Sequence, residues 1–303
     1  MFVRKKAIAA VIGILAVLAG FAAYRTFANQ DPPLITFMPA ETDEVMYNPY
    51  TGLVADARYP DIAQTVRLAY AKITWRQIEP RKGEFDFAAF EESILFEEWK
   101  RRGAKIILRL VLDYPEREDH LDIPDWLYEE IGRQGTHYEL EYGKGFSPDY
   151  ANDALIRNHE RLIQALGERY NDDPAIAFVQ LGSIGHWGEW HTWNGKNDRI
   201  AFPERKVADR YVTPYVKYFN HKKLMMRRPT AIAANNRMGL FNDAFGKTES
   251  TVDGFWQWYS KGYVSWLTGE KEPAMPQFWA ESPSGGEFAD ESLYFEDERI
   301  EET

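Results

Sequence analysis

Apolar runs of strand length alternate with longer stretches of helical periodicity along most of this chain, and that alternation restricts its fold more than any other feature. Leu68–Trp75 (LAYAKITW) alternates as a strand does, and Phe87–Arg102 repeats Phe90, Ile94, Leu95 and Trp99 at the spacing of an amphipathic helix. Lys105–Leu112 (KIILRLVL) is apolar almost throughout, as a strand covered on both faces of a parallel sheet should be. Asp122–Leu127 reads as a loop and Arg133–Ser147 as an irregular insertion. A helix over Asn152–Tyr170, a strand at Ile176–Leu181, a helix over Glu204–Phe219 and a strand at Lys223–Arg227 follow. Met238–Asn242 then reads as a strand, Val252–Trp266 as helical, and Gln277–Ala280 as a last strand.

Repeated strand–helix units predict an α/β fold with a parallel sheet. Polar and aromatic residues gather just after successive strands, where a (β/α)8 TIM barrel carries its site, so that barrel is the expected architecture. Counting from Leu53 gives seven strands, and the sixteen residues after Glu287 contain no convincing eighth. Either the chain is cut short at the last strand or the barrel closes atypically. Neither GxGxxG nor GxxxxGK[ST] is present, which disfavours a nucleotide-binding sheet.

Arg4, Lys5 and Lys6 precede an uncharged apolar run from Ala7 to Ala23, with small residues after it. This is the pattern of a secretory signal, or of an uncleaved N-terminal anchor. Residues 1–28 are therefore assigned to export, 29–46 to a Pro-rich linker, and 47–303 to one barrel domain. The 303 residues include no Cys, so an exported domain must rest on a large apolar core instead of disulfides. The formal charge of −11 includes Arg4, Lys5 and Lys6, and is near −14 without those three. Such a chain does not seek nucleic acid or anionic lipid. A neutral carbohydrate is the expected partner, with no cofactor, and with membrane contact only through the possible anchor.

The segment Gln180–Trp193 (QLGSIGHWGEWHTW) follows the strand at Ile176 and mixes Gly, His and Trp with one carboxylate, Glu189. Glycine permits close backbone approach, Trp offers stacking surface, and a carboxylate among aromatics has its pKa raised toward the general-acid range. Trp75, Trp187, Trp190 and Trp193 are candidate stacking platforms, of which at least one should be core. Trp256 and Trp258 either line the mouth or pack a helix, the latter being favoured. Arg109 interrupts an apolar strand, and a buried Arg requires a partner; it would position a carboxylate such as Glu189 or Glu287. His186 and His191 read best as hydrogen-bonding partners of a sugar, and Asp243, after its own strand, as a further site residue.

At this point the chain resembles known proteins. Asn48-Pro49, Trp75 with Ile78-Glu79-Pro80, and Gly83-Glu84-Phe85-Asp86-Phe87 look like the second-strand region of clan A glycoside hydrolases, the β-galactosidase-like barrels especially. Adding Leu108-Arg109-Leu110, Pro124-Asp125-Trp126-Leu127, Ala165–Tyr170, Gly182…His191, Phe241–Gly246 and Gly285-Gly286-Glu287, the chain is similar to domain-of-unknown-function family 4832 of bacterial exported barrels. In the clan the acid/base Glu follows the fourth strand and the nucleophilic Glu the seventh. The resemblance thus implies Glu189 as acid/base and Glu287 as nucleophile, with Glu281 as the rival for the second role. The clan places Asn before the acid/base, whereas Gly188 stands here. Two other readings remain: a non-catalytic glycan-binding barrel, and a metal-dependent hydrolase using His186, Glu189 and His191 with Asp113 or Asp243.

Overall fold

The computed structural model describes residues 50–61, 66–192 and 200–289. The expected signal, anchor and linker, Asn48-Pro49, Trp193 and the acidic residues after 289 lie outside the described residues. Seven strands form one sheet: β1 (Val54–Asp56), β2 (Leu68–Thr74), β3 (Lys105–Val111), β6 (Ile176–Gln180), β7 (Lys223–Met226), β8 (Gly239–Phe245) and β11 (Ser284–Phe288). They lie in that spatial order, and every neighbouring pair is parallel. The helices include α1 (Trp75–Ile78), α2 (Phe87–Ser93) and α3 (Phe96–Arg101) between β2 and β3, α5 (Asp153–Tyr170) between β3 and β6, and α6 (Arg205–Tyr218) between β6 and β7. Outside the sheet, β9 (Tyr263–Val264) pairs with β10 (Lys271–Glu272).

Alternation along the strands divides their side chains between two layers. Ala71, Ile73, Ile106, Leu108 and Leu110 join a large core under the helices, with Leu155, Leu162, Ile163 and Leu166 supplied by α5. Helix α5 starts where Asn152 accepts hydrogen bonds from the Ala154 and Leu155 backbone N–H groups, at 2.8 and 3.2 Å, satisfying donors a helix start leaves open. A smaller cluster of Leu68, Ile107 and Ala177, with Tyr70 and Phe178, fills the other face.

One contact shows that this sheet curls. Arg109 of β3 donates a 2.6 Å hydrogen bond to Glu287 of β11, four strands away in the sheet order. In a flat sheet those strands would stand about 19 Å apart, beyond the reach of Arg and Glu together. The sheet therefore wraps around its inner face, as a (β/α) barrel does. Seven strands are present, as the sequence count predicts; β1 and β11 are its edges, and no eighth strand joins them among the described residues.

Four local expectations are corrected. The helix over Phe87–Arg102 is two helices, because Leu95 adopts a left-handed backbone (φ 54°) and turns outward between them. Asp125–Glu130 is a short helix, α4. The insertion is a regular hairpin, β4 (Gly135–Leu140) against β5 (Gly143–Pro148). The last strand is Ser284–Phe288, whereas Phe278–Ala280 forms a 3-10 turn. That shift of several residues decides which late carboxylate reaches the site.

Candidate active site

Arg109 is the hub of the inner face. Its guanidinium is buried between the rings of Tyr70 and Phe241, 5.0 and 4.6 Å from their centroids. Its Nε donates to Gln180 at 2.8 Å, its Nη1 to the Trp187 carbonyl at 3.3 Å, and its Nη2 to Glu287 at 2.6 Å. Each edge of the fork is occupied, the condition under which a buried charge is tolerated. The same Nη1 stands 3.9 Å from Glu189 Oε1. One planar fork thus faces both carboxylates, keeping them within roughly 9 Å of each other.

The loop after β6 carries Glu189 to this point by tight coiling. It folds into a 3-10 turn at His186–Gly188, with the Trp190 indole N–H donating to the Leu181 carbonyl at 2.6 Å. Gly188 has φ +72°, and a Cβ there would lie 2.4 Å from the Gly182 carbonyl oxygen. No Asn fits that position in this loop. The departure from the clan pattern has a steric cause, and the acid that follows still reaches the inner face.

Glu189 is nearly enclosed. Burial, and then the Asp243 carboxylate, hold its carboxyl well above the usual range, against the opposing pull of Arg109. His191 Nε2 is 3.3 Å from Glu189 Oε2. Burial lowers the His191 pKa to about 3, so the imidazole is neutral at physiological pH. Asp243 is ion-paired with Arg227. Although burial opposes it, the neighbouring Arg227 brings the Asp243 pKa below its ordinary value. Glu189, His191 and Asp243 each bring one ligand atom within 4.8 Å of the others, a convergence that could hold a cation.

His186 lies deeper. Its Nδ1 is 2.7 Å from the Tyr142 hydroxyl, and its Nε2 is 3.7 Å from Asp113 Oδ2. Tyr138 donates to the other Asp113 oxygen at 2.5 Å. Burial moves these two groups in opposite directions, Asp113 up to about 7 and His186 down to about 4. Both tyrosines arrive on the β4–β5 hairpin and the turn between its strands, so the hairpin reinforces the Glu189 loop from below.

The structure brings Arg109, Glu189, Glu287, His191 and Asp243 together. Trp187 is partly exposed beside them, its ring 4.9 Å from that of Tyr142. Four residues are placed otherwise than as site residues, two of them supplying the core Trp that was expected among the candidates. Trp75 is fully buried, with its indole N–H donating to Glu79 at 2.8 Å, and Trp190 is held in the core by the Leu181 bond; neither ring faces a ligand. His186 is fully buried and hydrogen-bonded to the half-buried Tyr142, so it presents no surface to a sugar, and it stands outside the cation-type cluster. Glu281 precedes β11 and accepts through its carbonyl from Lys223, the first residue of β7. It therefore belongs to the opposite, N-terminal end of the sheet, beside a cavity of about 570 Å³. Glu287 is the late carboxylate at the site.

Gln180, Tyr70 and Phe241, which complete the Arg109 cage, went unrecognised in the sequence. Their only signal there was position: each stands on a strand in the alternation that faces inward with Arg109. Trp258, favoured as helix packing, lies against Gly254 of its own helical segment and also under Arg228, whose guanidinium is 4.4 Å from its ring centroid.

Residues 55–185 match the profile of a β-galactosidase glycoside hydrolase family. That stretch resembles a β-galactosidase. β-Galactosidase BgaH of Haloferax lucentense is 28% identical over 144 residues, covering 46% of this chain and 20% of that protein. The chain thus spans about a fifth of the length of this curated relative. Among solved structures, a β-galactosidase from psychrophilic Marinomonas ef1 superposes with a TM-score of 0.37 at 13% identity, covering 58% of this chain and 33% of that one. Endo-glycoceramidase II from Rhodococcus sp. gives 0.38 at 15%, covering 61% and 46%. The family match includes Arg109 and ends at Gly185, just before the turn that presents Glu189. The first half of the barrel is glycoside-hydrolase-like.

Proposed function

We propose that this chain is an exported glycosidase that cleaves a glycosidic bond by double displacement. Glu287 attacks the anomeric carbon while Glu189 gives its proton to the departing oxygen; Glu189 then takes a proton from the water that releases the glycosyl-enzyme. The observation that carries this reading is the single buried guanidinium of Arg109 facing both carboxylates, one after the fourth sheet strand and one on the seventh. Their environments differ as the two roles require. Glu189 is enclosed and its carboxyl favours the proton, whereas Glu287 is about half exposed and salt-bridged to Arg109. Replacing Glu189 by Gln should lower kcat/KM on an aryl glycoside by about 10²–10⁴-fold, the usual contribution of a positioned general acid. The alkaline limb of the wild-type pH profile should report the Glu189 proton. Full activity in folded E189Q would defeat this mechanism, and inactivity of wild-type protein on a broad glycoside panel despite sugar binding would favour the non-catalytic reading.

A second reading is favoured by the convergence of Glu189, His191 and Asp243, in which a divalent cation supplies the electrophile. The Arg227–Asp243 ion pair competes with that use of Asp243. Dialysis against EDTA separates the two: activity should survive if the paired carboxylates do the chemistry, and vanish until metal is restored if the cation does.

A further inference from the structure

Arg227 and Arg228 follow β7 at the C-terminal mouth of the barrel, and both are more than nine-tenths buried, at 3% and 8% exposure. Arg227 holds Asp243 through one nitrogen, while its Nε and Nη1 find no acceptor among the described residues. The Nε and Nη1 of Arg228 are likewise buried without an acceptor among them. The contact shown for the Arg228 side chain is the face of Trp258, and Trp258 in turn leans on Tyr263 with ring centroids 5.3 Å apart. Buried guanidinium donors are normally all engaged, because leaving them open forfeits hydration without return. Two adjacent arginines with open donors beside the reacting carboxylates form a built receptor lacking its acceptor.

The local ion pairs point the same way. The Glu287 carboxylate is engaged by Arg109 and the Asp243 carboxylate by Arg227. An Arg guanidinium stays charged at neutral pH, and no ion pair reaches Arg228 among the described residues. It is a buried cation without a carboxylate of its own there.

We infer that Arg227 and Arg228 form an anion subsite, and that the sugar this site takes carries one negatively charged substituent, a carboxylate or a sulfate. Both groups offer the paired oxygens that a guanidinium fork binds in bidentate fashion. Trp258 covers one face of the Arg228 guanidinium, and the donors without acceptors lie along its edge. The overall negative charge, which led to the expectation of a neutral glycan, acts at long range and is screened by salt beyond about 8–10 Å; at contact the open donors decide. The inference rests on the glycosidase reading for the sugar, but not for the anion.

The test is calorimetric titration of the full chain with D-galacturonate, galactose 6-sulfate and D-galactose in low salt. At least one anionic sugar should bind about tenfold or more tightly than galactose, and which one does so distinguishes carboxylate from sulfate. Arg228→Met should remove that preference, while Arg228→Lys should retain part of it, keeping the charge without the fork. Galactose binding as tightly as both anionic sugars, or a preference that persists in folded R228M, would overturn the subsite. If R228M does not fold, the wild-type ratio decides alone. Turnover of neutral 4-nitrophenyl glycosides without any charge preference would sink the subsite and spare the glycosidase. A charge preference with no turnover of neutral or uronic aryl glycosides would do the reverse.

Discussion

The two walls of the barrel mouth each contain buried arginine, and they treat it in opposite ways. On the β3 and β6 side, Arg109 has an acceptor on every edge of its fork and an aromatic ring on each face. On the β7 side, Arg227 and Arg228 hold one carboxylate and one Trp face between them, with donors left open among the described residues. The first arrangement closes its own hydrogen bonds and faces both Glu189 and Glu287. On the anion-subsite proposal, the second is closed by the oxygens of a bound carboxylate or sulfate. An open buried donor calls for an explanation that a closed one does not.

The largest effect that can break this comparison is on stability. Arg109→Met should destabilise the protein by about 1–3 kcal/mol, because buried Gln180 loses its donor while half-exposed Glu287 regains water. Chemical denaturation with a constant m-value measures it, and a loss below about 1 kcal/mol would show that the network is not closed in solution. Arg228→Met should behave differently. It removes a buried guanidinium with donors left open among the described residues and forfeits only a contact with Trp258 worth about 0.5–2 kcal/mol. Its unfolding free energy should therefore stay within roughly 1 kcal/mol of wild type or rise. Equal destabilisation by the two substitutions would erase the distinction between the walls.

The same distinction explains how much was legible in the sequence. Strand β2 is visible by its alternation, and β3, β6 and β7 by burial that leaves few polar residues in them. The last strand is not: Ser284-Gly285-Gly286 reads as a turn, and β11 pairs only with β8 on one side, so packing imposes little pattern on it. The β4–β5 hairpin was hidden by its glycines and charges. Arg109, Glu189 and Asp243 stood out because each is polar where its neighbours are apolar. Trp75 and Trp190 were misassigned because an indole suits a sugar face and a core equally well. What fixes them is a hydrogen-bond acceptor nearby in the chain, Glu79 for one and the Leu181 carbonyl for the other, which the residue types alone do not single out. Of the Arg109 cage, Gln180 is its direct partner across β3–β6 and Tyr70 lies on neighbouring β2, whereas Phe241 of β8, three strands away, is brought there by the curl of the sheet.

The smallest effect concerns the layer beneath the closed wall, where Asp113 and His186 lie 3.7 Å apart and titrate in opposite directions. Asp113, raised from 3.8 to about 7 chiefly by burial, keeps in the fold a proton that the unfolded chain gives up. Its contribution is therefore full below pH 3.8 and is lost as pH rises toward 7. His186, lowered from 6.5 to about 4 by burial, refuses in the fold a proton that the unfolded chain accepts. Its contribution is full above pH 6.5 and is lost as pH falls toward 4. Between those limits the two slopes oppose each other, so this pair contributes little net pH dependence. Asp113→Asn removes the first slope and exposes the second, and its melting temperature should drop more steeply than that of wild type from pH 6.5 to 4. His186→Asn should do the opposite, losing stability as pH rises from 4 to 7. If melting curves of the two variants run parallel to wild type across this window, the buried pair does not titrate with folding. The closed wall would then be neutral in fact as well as in sum, and the buried cation without a carboxylate of its own among the described residues would stand on the opposite wall.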